Sequence, residues 1–277
     1  SVWRVPGITG YGPLQITRQA DLLRVDTVGN ISRATLRPRN QALDTDVALL
    51  TVIMAQNETG AIMPVAAAAT AARPRGIITH TDAAQAIGKI KVAVDSLDVD
   101  LLSIAGHKCY APKGVGALYV RAGVQVEPLI HGAGHESGRR AGTENVLLDV
   151  GLGAACELAQ SWIHRHTILE LRDLFWQRLN EEFTNVALNG HPTERLPNTL
   201  NVSFPGRIGA EILRELNDVA ASTGSACHSG VVELSPVLKA MRVRPEIGMG
   251  AVRFSLGRST TAQELETVVQ SLRKVLA

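Results

Sequence analysis

"DLLSIAGHKCYAPKGVGALYV", residues 100–120, decides how the chain is read. An apolar run stops at Gly106-His107-Lys108. A turn with Pro112, Gly114 and Gly116 follows, and a second apolar run begins. Two such runs around a glycine-rich turn read as strands. The end of a buried strand is where α/β proteins place their chemistry. A lysine there is either a solvated charge or a nucleophilic amine, and the solvated charge is the commoner case. The surrounding sequence has to decide between them.

Upstream, "DVALLTVIMA" (46–55) is a continuous apolar run, as expected of a strand buried on both faces. "PVAAAATAARP" is an alanine-rich helix entered at Pro64 and ended before Pro74. "GIITHTD" (76–82) is a further strand, and "AAQAIGKI" begins a short helix or turn. Strand, helix, strand in this order predicts an α/β fold with a largely parallel sheet. From Thr143 the character changes. A helical pattern runs to about Phe183, with Thr143 as its cap. "NTLNVSF" (198–204), "VAAS" (219–222) and "AVRFSLG" (251–257) read as strands; "GAEILREL" and "TAQELETVVQSLRKVLA" read as helices. The expected organisation is a large sheet domain over 1–144, then a linking helix and a smaller α+β domain over 145–277.

Composition narrows the classes. The 277 residues are 45% hydrophobic, enough for one large or two modest cores. A net charge of +2, no basic tract and 4% aromatics give nucleic-acid binding no support. Apolar stretches break well before the roughly 18 residues of a membrane span, so no membrane partner is expected, and no leader peptide is visible. Cys109, Cys156 and Cys227 are odd in number and far apart, which argues for a reducing compartment such as the cytoplasm. The opening "SVWRVPGITGYGPLQ" begins at Ser1 with neither a cap nor a clean strand, so the chain is expected to be a fragment. Its glycines lack the helix that a phosphate loop would open.

Four clusters carry candidate chemistry. "QNETG" (56–60) follows the first strand and suits a turn. "HTDAAQ" (80–85) ends the next one, where Asp82 can cap the following helix. Gly106-His107-Lys108 is the third. The fourth is "TGSACHS" (223–229), whose Cys227 sits among small polar residues as an exposed thiol would. Cys156, within "GAACELA", reads as packing. Strand-end Asp, strand-end Lys, neighbouring amides and a His together describe a site for a pyridine-type aldehyde cofactor. The amine forms a Schiff base, and the carboxylate keeps the ring nitrogen protonated. Amides reach the ring hydroxyl, and an imidazole with backbone N–H groups holds a phosphate.

Over essentially its whole length the chain resembles the class V aminotransferase group of fold type I pyridoxal-phosphate enzymes, specifically the NifS-type cysteine desulfurases and the related selenocysteine lyases. "QNETG", "HTDAAQAIGK", "GHKCYAPKGVGALYV", "GAGHESGRRAGTEN", "LPNTLNVSF", "TGSACHS" and "VRFSLGRSTT" match in order. The resemblance implies pyridoxal 5'-phosphate as cofactor. It implies that Lys108 carries the Schiff base, that Asp82 pairs with the pyridinium nitrogen, and that Gln85 and Asn57 approach the ring hydroxyl. His107 would contact the phosphate, and Thr143 the phosphate of the partner subunit in a homodimer. Arg253 would clamp the substrate carboxylate. Cys227 would take sulfur from L-cysteine as a persulfide, with release of alanine, and pass it to an acceptor or scaffold protein, as in iron–sulfur cluster assembly. Two departures stand out. Ala105 occupies a place where many desulfurases have a hydroxyl, with Ser103 on the same side but further away. The family's N-terminal portion, with a ring-stacking histidine and a Thr-containing phosphate loop, has no counterpart.

Three other readings compete. L-selenocysteine in place of L-cysteine keeps every polar handle of the substrate, and Ala105 and "ACHS" look closer to the lyases. A truncated, catalytically silent chain acting as a partner-binding fragment is the second. A metal site from His131, His135, Cys109 and Cys227 is the third, although their spacing matches no zinc pattern.

Overall fold

The computed structural model describes residues 26–29, 47–163, 167–223 and 233–277. The Cys227 loop and the opening stretch lie outside the described residues. β1 (Leu49–Ile53), β2 (Ile78–Asp82) and β3 (Leu101–Ala105) are parallel neighbours, and β4 (Gly116–Val120) runs antiparallel to β3. Helix α1 (Val65–Ala72) makes the crossover from β1 to β2, and α2 (Val94–Leu97) precedes β3. Leu50, Val52 and Leu102 share a core with Val65, Ala68, Ala69 and Ala72 of α1. The alanines let the helix approach the sheet closely, and each is almost fully buried.

The other face differs from the expected all-apolar strand. Register sets Thr51 beside His80 and Asp82 beside Ser103. Thr51 Oγ1 lies 2.7 Å from His80 Nδ1, and His80 Nε2 lies 2.7 Å from Ser103 Oγ. Thr51 is exposed; His80, Asp82 and Ser103 are half-buried. Side chains alternate along a strand. A run that looks uniformly apolar over 46–55 therefore still gives Thr51 to one face while Leu50 and Val52 go to the other.

The expected single helix after Thr143 is two helices, α3 (Val146–Trp162) and α4 (Thr167–Glu182). Asn145, not Thr143, is the cap, its carboxamide oxygen accepting the Leu148 N–H at 3.3 Å. Asn caps as well as any residue, and Asn145 stands immediately before the first helical residue. The turn after β2 contains no helix. β5 (Ala187–Leu188), β6 (Thr199–Ser203) and β7 (Ala251–Ser255) form a second, antiparallel sheet with α5 (Gly209–Glu215), α6 (Pro236–Ala240), α7 (Pro245–Gly248) and α8 (Ala262–Leu276). "VAAS" gives only one bridge, Ser222 to Arg253, instead of a strand.

Helix α8 starts at a capping box: Thr261 accepts the Glu264 N–H, and Glu264 accepts the Thr261 N–H. Its Leu265, Val269 and Leu272 join Phe175 and Leu179 of α4 and Val252 and Phe254 of β7 in a second core. Phe175 meets Phe254 edge-on, with centroids 5.2 Å apart.

β6 is buried along its whole length. Leu200 and Val202 enter the second core, while Thr199, Asn201 and Ser203 turn the other way. Asn189 Nδ2 donates to Asn201 Oδ1 and to Ser203 Oγ, both at 2.8 Å, and Asn201 Nδ2 donates to the Glu58 carbonyl at 3.0 Å. The two layers also share main-chain bonds: Ile62 N–H to Glu194 O at 2.9 Å and Leu196 N–H to Gly60 O at 2.8 Å. Gly60 has φ +76°, and a Cβ there would lie 2.9 Å from Thr199 Cβ, so both conformation and space require glycine. No single helix among the described residues is long and apolar enough to cross a membrane.

Candidate active site

The C-terminal ends of β1, β2 and β3 lie side by side and deliver three of the sequence clusters to one place. Asp82 is the last residue of β2, and its Oδ1 accepts the Ala84 N–H at 2.8 Å. The bond closes a turn, not the helix start that the sequence suggested. Gln85 is half-buried in the turn after β2. Beyond β3, Gly106–Lys108 form a single 3₁₀ turn that leaves His107 and Lys108 exposed. A Cβ on Gly106 would come within 2.8 Å of the Val115 carbonyl, so the turn can close against β4 only with glycine.

The QNETG segment is a tight turn organised by Gln56, whose Oε1 accepts the N–H groups of Glu58 at 2.6 Å and Thr59 at 2.7 Å. Asn57 is exposed, and its carbonyl accepts from Arg253 Nη1 at 2.8 Å. The structure thus brings Arg253 of β7 onto the large-sheet cluster across 196 residues of sequence. Arg253 Nε is buried and without an acceptor. Thr143 is exposed in the loop before α3.

Three polar residues near this site were not assigned roles from the sequence. Glu58 is buried; burial pushes its carboxyl above the ordinary range, opposed by the Ser235 hydroxyl bonded to it and by the Arg253 charge. Ser235 Oγ donates to Glu58 Oε2 at 2.5 Å. Glu58 lies inside a quoted motif, but its partner is 177 residues away and carries no local signal. His80 is two residues before Asp82, so strand alternation already placed both on one face. Burial pushes its imidazole below the usual histidine value, and the Asp82 charge opposes this. Of the four residues weighed for a metal, His135 pairs instead with Glu144 at 2.9 Å, and Cys109 is buried with its thiol on the Gly106 carbonyl. Among the described residues no group of three or more His, Cys, Asp or Glu could hold a metal ion. The Cys156 thiol is pushed up, chiefly by burial and then by Cys109, which keeps it protonated and unreactive.

A family model described as aminotransferase class-V matches residues 15–268. The chain belongs to this family. Relatives of the class-V chain include cysteine desulfurase 2 of Trichormus variabilis, 44% identical over 259 residues, covering 92% of this chain and 64% of that protein. A second is cysteine desulfurase IscS of Dictyoglomus turgidum, 43% identical, with 92% and 65% covered. Among solved structures, a NifS-like protein superposes with a TM-score of 0.81 at 33% identity, covering 92% of this chain and 67% of that one. The chain therefore spans just under two thirds of the length of these curated desulfurases. Its architecture is the fold type I arrangement of class-V enzymes, whose cofactor is pyridoxal phosphate.

The class-V residues that are present fit that cofactor. Asp82 and Lys108 offer a carboxylate and an amine from the C-terminal ends of adjacent parallel strands. Arg253, expected at the substrate carboxylate and not at the cofactor, reaches the same cluster through the Asn57 carbonyl.

Proposed function

We propose that this chain is the lysine-bearing and sulfur-carrying part of a pyridoxal-phosphate-dependent cysteine desulfurase, acting on L-cysteine. The observation that carries the reading is the placement of Asp82 and Lys108 at the ends of neighbouring parallel strands, with Arg253 of the second sheet bonded to the Asn57 carbonyl beyond β1. The 43–44% identity to named desulfurases supports it.

When bound, the cofactor supplies an electron sink for charge developing at the substrate Cα. Lys108 Nζ would hold its aldehyde carbon and, as a free amine, would serve as base for the substrate Cα proton. Asp82 would hold a proton on the ring nitrogen. A neutral His80 suits this role, because it brings no competing positive charge to that carboxylate. Gln85 and Asn57 would orient the ring hydroxyl, and His107 would hold the phosphate. Arg253 grips the substrate carboxylate with a planar fork. Cys227, as thiolate, attacks the substrate sulfur; an S–S bond forms, the C–S bond breaks, and its electron pair stays with carbon, which is protonated and leaves as alanine. Ala105 gives the phosphate no hydroxyl, and Ser103 Oγ is engaged with His80.

We divide the protein at 144/145, with the cofactor on the first part and Arg253 and Cys227 on the second. A homodimer is the proposed state. Val146, Leu147 and Val150 of α3 are more than 60% exposed and lie just after Thr143, so a second copy docked there would bring Thr143 to its neighbour's phosphate. We place the protein in the reducing cytoplasm, delivering sulfur to an acceptor protein.

The test is borohydride reduction of cofactor-loaded protein followed by peptide mapping. Label should fall on Lys108, and label on another lysine overturns the assignment. Cys227→Ala should keep cofactor absorbance and lose persulfide formation. Comparing turnover of cysteine and selenocysteine separates desulfurase from lyase, and absence of both activities would leave the silent-fragment reading.

A further inference from the structure

Away from Asp82 and Arg253, a cavity of about 350 Å³ lies where the end of α3, the turn after β2 and the second sheet meet. Trp162, Ile168 and Leu256 give it apolar walls. Five cations line it, namely Lys89, Lys91, Lys108, Arg195 and Arg258, and no Asp or Glu is among its described lining residues. Asp82, Gln85, His107 and Arg253 do not line it; Lys108 alone is common to both places.

The cations are held in place. Arg195 is 5% exposed, and its Nη2 donates to the Thr59 carbonyl at 2.9 Å and the Asn189 carbonyl at 3.3 Å. Its Nε and Nη1 are buried without an acceptor. Burial, followed by repulsion from Arg172, pushes this guanidinium down to about 10. Arg258 lies over Tyr110, its guanidinium carbon 3.8 Å from the ring centroid, while its backbone N–H donates to Tyr110 Oη at 3.0 Å. Lys89 Nζ reaches the Lys108 carbonyl at 3.3 Å, and burial pushes its amine down to about 8. Buried donors are normally paired, and buried charges need a counter-charge. Apolar walls with a few convergent polar groups are the ordinary form of a small-molecule site.

We propose that this cavity binds a small organic carboxylate with an apolar or aromatic body. The carboxylate meets the Arg258 fork and the Lys89 amine, and the body lies against Trp162 and Leu256. A carboxylate matches two parallel guanidinium donors. The aromatic wall distinguishes such a ligand from a bare inorganic anion. The proposal rests on Arg258 and Lys89 and not on the chemistry proposed for Lys108, which also lines the cavity, and its test does not use activity.

Phenylacetate, its neutral analogue phenylacetamide and inorganic phosphate are titrated into the protein by calorimetry. Phenylacetate should bind, and phenylacetamide should bind at least about tenfold more weakly, as loss of a charge-assisted bond implies. Binding near pH 8 should take up protons as Lys89 becomes fully charged, which shows as a dependence of the heat on buffer ionisation. Ala159→Phe, which fills the cavity from α3, should abolish binding, and Arg258→Gln should weaken it. Lys89→Met should weaken it too and remove the proton uptake; should one variant fail to fold, the other two keep the test sound. Equal binding of acid and amide, unchanged binding in Ala159→Phe, or no phenylacetate binding would each overturn the proposal. Competition by inorganic phosphate at equal concentration would overturn the organic body.

Discussion

The two sheets each carry one apolar and one polar face, and they use the polar face in opposite ways. On β1–β3 the polar face is the ladder Thr51–His80–Ser103, which leads to Asp82 and is half-open to solvent. On β6 it is Thr199–Asn201–Ser203, sealed against the other layer, with Asn201 and Ser203 at 0% exposure. The open ladder ends in groups placed for a ligand. The sealed one is spent on the protein itself, because polar groups taken from water must find partners inside. The same alternation of residue types thus gives a reactive floor in one sheet and an adhesive in the other, and burial decides which.

If that contrast is right, changes on the open face alter turnover and changes on the sealed face alter stability. The largest effect is expected at Asp82. Asp82→Asn should keep the Ala84 bond, since Asn caps as Asp does, yet slow alanine production by ~10², or about 3 kcal/mol of barrier. Near-normal turnover would reduce Asp82 to a cap. Next, Asn201→Val strands the Glu58 carbonyl and the Asn189 amide in a dry interface. It should lower the urea-unfolding free energy by about 2 kcal/mol, with cofactor absorbance per folded molecule retained.

Glu58 sharpens the contrast through pH. Its folded carboxyl is raised, so between about 4.5 and its folded value the native state binds more protons than the unfolded one. Its contribution to stability is present at low pH and declines as pH rises through the folded value. Glu58→Gln, which can still accept from Ser235, should flatten that decline in urea melts collected across this range. The smallest effect belongs to Thr51→Val on the open ladder, expected within about 0.5 kcal/mol because the site is exposed. A loss comparable with that of Asn201→Val would break the comparison.

Much of the first sheet was legible because its signals are local. Apolar runs ended at Asp82 and at Gly106-His107-Lys108, and glycine marked the turn into β4. Parallel order followed from the alanine helix between β1 and β2. What stayed hidden depended on distant partners. "NTLNVSF" reads as a strand, but nothing in it says that Asn201 faces Glu58 and not water. Thr143 looks like the cap, and only the backbone path decides that Asn145, two residues on, is used instead. The break between α3 and α4 has no Gly or Pro in "SWIHRHT" to announce it. Arg195 and Lys89 are 106 positions apart in sequence, so no motif could join them in one cavity.

The main-chain bonds between residues 60–62 and 194–196 have a mechanical consequence. Backbone bonds at 2.8 and 2.9 Å, reinforced by Arg195 on Thr59, fasten the layers along one line beside the candidate cleft. Any opening and closing of the cleft must then rotate about that line, as a door does about its jamb, with the β6–β7 sheet swinging and the Thr59 side still. In amide exchange, Ile62 and Leu196 should keep their protons through every such cycle and release them only when the layers part altogether.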